Sequence, residues 1–86
     1  MNALMDRMLE EAVEAGQKEV LGPDYADHNV VNLICDILEL EPVISDSERR
    51  FLGWAYEQGT KDPTGDVDEI MRRIRDTSSY KFLRGL

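Results

Sequence analysis

Hydrophobic residues recur at three- to four-residue spacing in four separate stretches, the pattern of helices that bury one face. Gly16 lies on the apolar face of the first stretch, where a small residue lets a second helix backbone come close. Gly22 and Pro23 end this helix, because Gly accepts the left-handed conformation and Pro cannot continue a helix. The apolar residues that share this first face are Leu4, Met5, Met8, Leu9, Ala12, Val13 and Val20.

The second stretch is the most apolar, and we expect Asp24 or Asp27 to cap a helix that runs to about Leu40. Its apolar residues cover more than half of a helical wheel, so several neighbours must contact it at once. We therefore predict that it is the central element of the core. These residues are Val30, Val31, Leu33, Ile34, Ile37, Leu38 and Leu40.

The third and fourth stretches begin with helix-capping signals. Ser45 and Glu48 form a Ser-x-x-Glu capping box, and Asp66 with Glu69 is a variant of it. Gly59 is the expected C-cap of the third helix. The stripe of the fourth helix consists of Val67, Ile70, Met71 and Ile74.

Thr77, Ser78 and Ser79 interrupt the pattern, and an apolar tail follows that contains Tyr80, Phe82, Leu83 and Leu86. No alternating strand pattern of useful length is present. The predicted fold is all-α: residues 1–86 form a single helical domain, a compact bundle of about four helices with a short apolar C-terminal tail.

Charge is divided unevenly along the chain. Residues 1–48 carry twelve acidic and two basic side chains, whereas residues 49–86 carry six acidic and eight basic ones. The net charge of −8 disfavours nucleic acid as a partner, because phosphates are neutralised by Lys and Arg.

Glu10, Glu11 and Glu14 project opposite the apolar stripe of the first helix, and Asp24 and Asp27 follow near its end. One interpretation is an anionic surface that docks on a basic site of another protein. The other is a solvated helix face, which is more common because surface Glu also favours helix formation.

Arginines dominate the basic half, at Arg49 and Arg50 on the third helix and at Arg72, Arg73 and Arg75 on the fourth. As phosphate contacts they would make a nucleic-acid-associated protein, which is the alternative function. The i,i+4 pairs Asp68–Arg72 and Glu69–Arg73 favour internal pairing instead.

Metal and catalytic chemistry find little support in the sequence. The acidic residues of the loop before the fourth helix lack the Gly and Glu positions of a calcium loop. His28 and Cys35 are two helical turns apart, and no second His exists to build a zinc site or an activated thiol. We expect no enzyme, no cofactor and no metal, with Cys35 as a packing residue.

The lone cysteine and the absence of a signal-like or membrane-spanning apolar run predict a cytoplasmic protein without a membrane partner. The aromatic residues are either core or an exposed binding patch, and core packing is favoured. They are Trp54, Tyr56, Tyr80 and Phe82.

Together these observations favour a small acidic, non-enzymatic protein-binding module, a regulator or inhibitor that docks through its surface. Small acidic proteins of this size are frequent among phage and mobile-element inhibitors. A homodimer is left open, and the partner-binding residues we expect are Glu10, Glu11, Glu14, Asp24 and Asp27.

Overall fold

The computed structural model describes residues 3–41 and 44–84, and these ranges are all-helical. The described residues form five helices that pack within 31 × 27 × 19 Å, which confirms the predicted bundle. The helices are α1 (Ala3–Gln17), α2 (Asp27–Leu38), α3 (Asp46–Lys61), α4 (Val67–Arg75) and α5 (Ser78–Arg84).

The contact of α1 with α3 contains two glycines whose backbones touch. A methyl group added to Gly16 would lie 2.9 Å from the carbonyl carbon of Tyr56 and 3.2 Å from the Cα of Gly59. A methyl group added to Gly59 would lie 2.9 Å from the backbone nitrogen of Gln17. The close approach that Gly16 allows is therefore present, whereas the prediction that Gly59 caps α3 is wrong, because α3 continues to Lys61.

The core centres on α1 and α3, and the prediction that α2 is its central element is wrong. Ile37 on α2 is 47% exposed, and Leu33 and Leu38 are only partly buried, because no helix covers that side of α2 within the described residues. In contrast, α1 and α3 together contribute six apolar side chains with no exposed surface: Leu9, Ala12, Val13, Leu52, Ala55 and Tyr56.

The connection between α1 and α2 is fixed to α3 by tyrosines. The hydroxyl of Tyr56 accepts a hydrogen bond from the Leu21 N–H at 2.9 Å, and the ring of Tyr25 lies 4.5 Å from that of Tyr56. Val20 is 53% exposed in this connection and does not return to the apolar face, since α1 ends at Gln17.

The Ser45–Glu48 capping box is confirmed, whereas Asp66 caps α4 without a reciprocal bond from Glu69 among the described residues, and the prediction for α2 is wrong. Ser45 and Glu48 exchange both hydrogen bonds of a capping box, at 3.2 and 2.9 Å, and Asp66 accepts from the Asp68 N–H at 2.9 Å. Neither Asp24 nor Asp27 caps α2. Its N-cap is Ala26, whose N–H donates to the Asn29 side chain at 3.2 Å.

The apolar tail forms the short helix α5. The Thr77 hydroxyl donates to the Ile74 carbonyl at 2.7 Å and accepts from the Tyr80 N–H at 3.2 Å, so one side chain joins the end of α4 to the start of α5. Tyr80 and Leu83 are buried against the bundle, as the folded tail predicts. Leu86 lies outside the described residues.

Candidate functional site

The glutamates of the expected docking face are only partly exposed on α1. Glu10, Glu11 and Glu14 are each half-buried, and none of them forms an ion pair with any residue in 3–41 or 44–84. Their carboxylates therefore add negative charge that the described part of the chain does not neutralise by direct pairing.

The two aspartates of the expected docking face occupy different environments. Asp24 is exposed in the connection between α1 and α2. Asp27 is the first residue of α2, and its carboxylate lies directly against the backbone of Gly53 in α3. Asp27 is thus half-buried at the contact of α2 with α3, a position that its acidic side chain alone did not reveal.

Tyr25 lies near two carboxylates, that of Asp27 in the same part of the chain and that of Glu57 on α3. Burial raises the pKa of the Tyr25 hydroxyl above its ordinary value, and the nearby charge of Glu57 raises it further, followed by smaller effects of Tyr56 and Asp27. Sequence reasoning missed Glu57, because no spacing along the chain links α3 to the connection before α2.

Most of the arginines are paired with carboxylates, although with other partners than the spacing predicts. Arg72 pairs with Glu69 at 2.7 Å and Arg73 with Asp62 at 3.1 Å, in place of the predicted pairs with Asp68 and Glu69.

Two further arginines are paired, and one is not. Arg75 approaches Asp6 of α1 at 3.8 Å, and Arg49 approaches Asp46 at 3.3 Å. Arg50 is exposed on α3 and forms no ion pair with any residue that the structure describes. Of the five arginines singled out, Arg50 is therefore the one whose charge faces solvent without a carboxylate beside it.

Arg50 stands at the edge of an open groove between α3 and α5. The groove has a volume of about 550 Å³. One wall consists of side chains of α3, and the other consists of Thr77, from the connection between α4 and α5, and side chains of α5. The lining residues are Ser47, Arg50, Phe51, Trp54, Thr77, Ser78, Ser79, Phe82 and Leu83.

Aromatic rings form the apolar part of this groove. The rings of Phe51 and Trp54 are stacked, with centroids 5.4 Å apart and planes inclined by 15°. Phe51 is buried and Trp54 is partly exposed, whereas Phe82 across the groove is 66% exposed, the highest value of any large hydrophobic side chain described. The four aromatics of the sequence therefore divide: Tyr56 and Tyr80 belong to the core, and Trp54 and Phe82 face the groove.

The polar lining of the groove consists of one guanidinium and four hydroxyl groups, with no carboxylate among the described residues. The Thr77 hydroxyl is already used at the junction of α4 and α5. Those of Ser47, Ser78 and Ser79 form no hydrogen bond within residues 3–41 and 44–84. The groove thus combines an apolar floor with donors at its rim.

Cys35 is buried, and its Sγ lies 3.8 Å from the carbonyl oxygen of Glu41. Burial raises the pKa of the Cys35 thiol, and the charge of Asp36 adds to the effect, so the neutral thiol is favoured over the nucleophilic thiolate. His28 is exposed at the start of α2. No three His, Cys, Asp or Glu side chains in the described ranges stand close enough to hold a metal ion.

No helix within the described residues is long and apolar enough to span a bilayer. Comparison of the chain with models of protein families, with curated proteins and with solved structures found no match.

Proposed function

We propose that this protein is a non-enzymatic protein-binding module, a regulator or inhibitor that captures its partner in the groove between α3 and α5. The observation that supports the proposal is the 66% exposure of Phe82 beside the partly exposed Trp54, at the mouth of a groove of about 550 Å³. Covering apolar surface contributes about 25 cal/mol per Å² to association. Phe82 is the most exposed large hydrophobic side chain that the structure describes, and it lines this groove.

The composition of the groove also supports the proposal. Residues that dominate the binding free energy of protein interfaces are enriched in Trp, Tyr and Arg and lie near the centre of a contact. Trp54 and Arg50 supply two of these types within one turn of α3, with Phe82 across from them.

The acidic face of α1 is a second candidate docking surface, because Glu10, Glu11 and Glu14 carry carboxylates that no described cation pairs with. Its expected partner is a protein with a basic surface, attracted by charge complementarity that speeds encounter more than it tightens binding. The two surfaces predict different sensitivities to mutation.

The test is affinity capture from the lysate of the native host, read by mass spectrometry, with four immobilised proteins. Wild type is compared with Phe82→Ser, with the charge-reversed Glu10→Lys/Glu11→Lys/Glu14→Lys variant, and with Ile37→Ser. Ile37 is the matched control, because it is an equally apolar side chain, 47% exposed, on α2 and outside the groove.

We expect a protein that wild type and Ile37→Ser retain and Phe82→Ser loses. A protein that only the charge-reversed variant loses would move the docking surface to the face of α1. Capture that is equal for all four proteins would refute both surfaces.

A further inference from the structure

We infer that the groove between α3 and α5 binds an acidic peptide segment of the partner, which places one large apolar side chain against Trp54 and Phe82. This inference rests on the proposed function and adds the chemistry of the partner to it. It follows from the local charge, the free hydrogen-bond donors and the size of the groove.

Local charge is the first argument. The chain carries eighteen carboxylates, yet none of the described ones lines the groove, where Arg50 is the charged side chain. The net charge of −8 repels an acidic segment at long range. However, screening limits such effects to about 8 Å at physiological salt, so the nearest charge decides once the segment docks.

The guanidinium of Arg50 is available to a partner, because no described carboxylate pairs with it. It is exposed and forms no ion pair within the described part of the chain. A guanidinium offers a planar fork of donors that matches a carboxylate, and such charge-assisted hydrogen bonds are about twice as strong as neutral ones. A basic segment in the same place would bring like charges together.

The hydroxyl groups at the rim provide further donors. Ser47 is one turn before Arg50 on α3, and Ser78 and Ser79 begin α5 on the opposite wall. None of the three is used by another residue that the structure describes. The lining therefore offers a carboxylate two kinds of donor, the guanidinium of Arg50 and the serine hydroxyls.

The size and floor of the groove indicate the apolar anchor. A volume of about 550 Å³ is within the range of about 300–1,000 Å³ that is typical of ligand pockets. Phe51 and Leu83 are buried beneath it, and Trp54 and Phe82 flank the opening. One aromatic or large aliphatic side chain would cover both exposed rings.

Single-stranded nucleic acid is the competing occupant, because bases also stack on aromatic rings. Strong binding of this kind needs a positively charged channel along the phosphates. Among the described residues the groove supplies one cation, and the arginines of α4 are already paired with carboxylates. The charges therefore favour the acidic peptide.

The first experiment selects peptides from a random library displayed on phage against the immobilised full chain, with counter-selection on Phe82→Ser. We expect enriched sequences with one aromatic or large aliphatic residue flanked by Asp and Glu. Enrichment of basic or uncharged sequences that still require Phe82 would overturn this inference and leave the proposed function standing. No Phe82-dependent enrichment at all would count against both.

The second experiment titrates the most enriched peptide, carrying a fluorophore, against wild type, Arg50→Glu and Lys18→Glu. Lys18 is the matched control, since it is exposed, lies outside the groove and gives the same change of net charge. We expect about tenfold weaker binding for Arg50→Glu, the loss of a contact worth about 1.4 kcal/mol, and a small change for Lys18→Glu. Equal weakening by both substitutions would refute a local role of Arg50.

Folding of the variants is checked by circular dichroism, and Arg50→Gln provides a milder variant that should weaken binding less than Arg50→Glu does. A single-stranded oligothymidine is added as a competitor. If it displaces the peptide at physiological salt, the groove is a nucleic-acid site and the inference is wrong.

Discussion

Helix α3 packs closely against α1 on one side and lines an open groove on the side that faces α5. On the side that faces α1, glycines remove side chains, so that the backbones of Gly16 and Gly59 come into contact. On the side that faces α5, the stacked rings of Phe51 and Trp54 line an open groove. One helix therefore combines a closely packed interface with an open groove lined by aromatic side chains.

We expect the greatest loss of stability when the contact between α1 and α3 is disrupted. A methyl group at Gly59 must displace backbone of α1, so Gly59→Ala should lower the free energy of unfolding by about 1–3 kcal/mol, despite the better helix propensity of Ala. Gly53→Ala is the control within the same helix, because the added methyl meets the Asp27 side chain, which can rotate away.

Chemical denaturation of both variants provides the measurement. Gly53→Ala should stay within about 1 kcal/mol of wild type, since helix propensity offsets the displaced carboxylate. If Gly59→Ala is as stable as Gly53→Ala, the backbones of α1 and α3 are not in contact.

The next effect concerns the wall of the groove. The Tyr80 hydroxyl donates to the Asp6 carboxylate at 2.6 Å and fixes α5 to α1. Tyr80→Phe should cost about 1 kcal/mol of stability, near the mean for a hydrogen bond, because Asp6 is partly exposed and water replaces the donor. It should also increase amide hydrogen exchange in α5 more than in α3, and uniform exchange would show that α5 is not held by this bond.

The free energy of unfolding should also depend on pH through the Tyr25 hydroxyl. The pKa of Tyr25 is raised in the folded protein, so the folded state holds this proton more tightly than the unfolded state does. The contribution of this hydroxyl to the free energy of unfolding is therefore fully present below the ordinary pKa of 10.0, and it is lost as pH rises through the pKa of the folded state. Urea unfolding at increasing alkaline pH should show a shallower decline for Tyr25→Phe than for wild type, and equal declines would contradict the shift.

The smallest expected effect on stability is that of the groove surface. Phe82 is 66% exposed, so Phe82→Ser should change the free energy of unfolding by less than about 0.5 kcal/mol. A thermal melt is sufficient to measure this. A large loss of stability would mean that Phe82 supports the fold. The exposure of Phe82 would then no longer support a binding role for the groove.

Sequence reasoning succeeded where a few consecutive residues decide the outcome. The Ser45 capping box and the Asp66 cap depend on side chains that bond to backbone two or three residues away, so their spacing is visible in the sequence. Gly16 was identifiable because a glycine on an apolar helical face has few other uses. The all-α bundle follows from the same helical periodicity.

The predictions failed where the outcome depends on which helices meet. Gly59 has the sequence signature of a C-cap, and only its contact with α1 shows that it is a packing residue. Ile37 is apolar, yet no described helix covers it. The groove could not be predicted from the sequence either. Trp54 and Phe82 are 28 positions apart in the sequence, and only the packing of α5 brings them to the same groove.

The hydrogen bond between Asp6 and Tyr80 has a mechanical consequence. It joins residues 74 positions apart and ties one wall of the groove to the first turns of α1. Glu10 lies one helical turn beyond Asp6 on the same helix. This single hydrogen bond therefore couples the position of the helix that forms one wall of the groove to the helix that carries Glu10, Glu11 and Glu14.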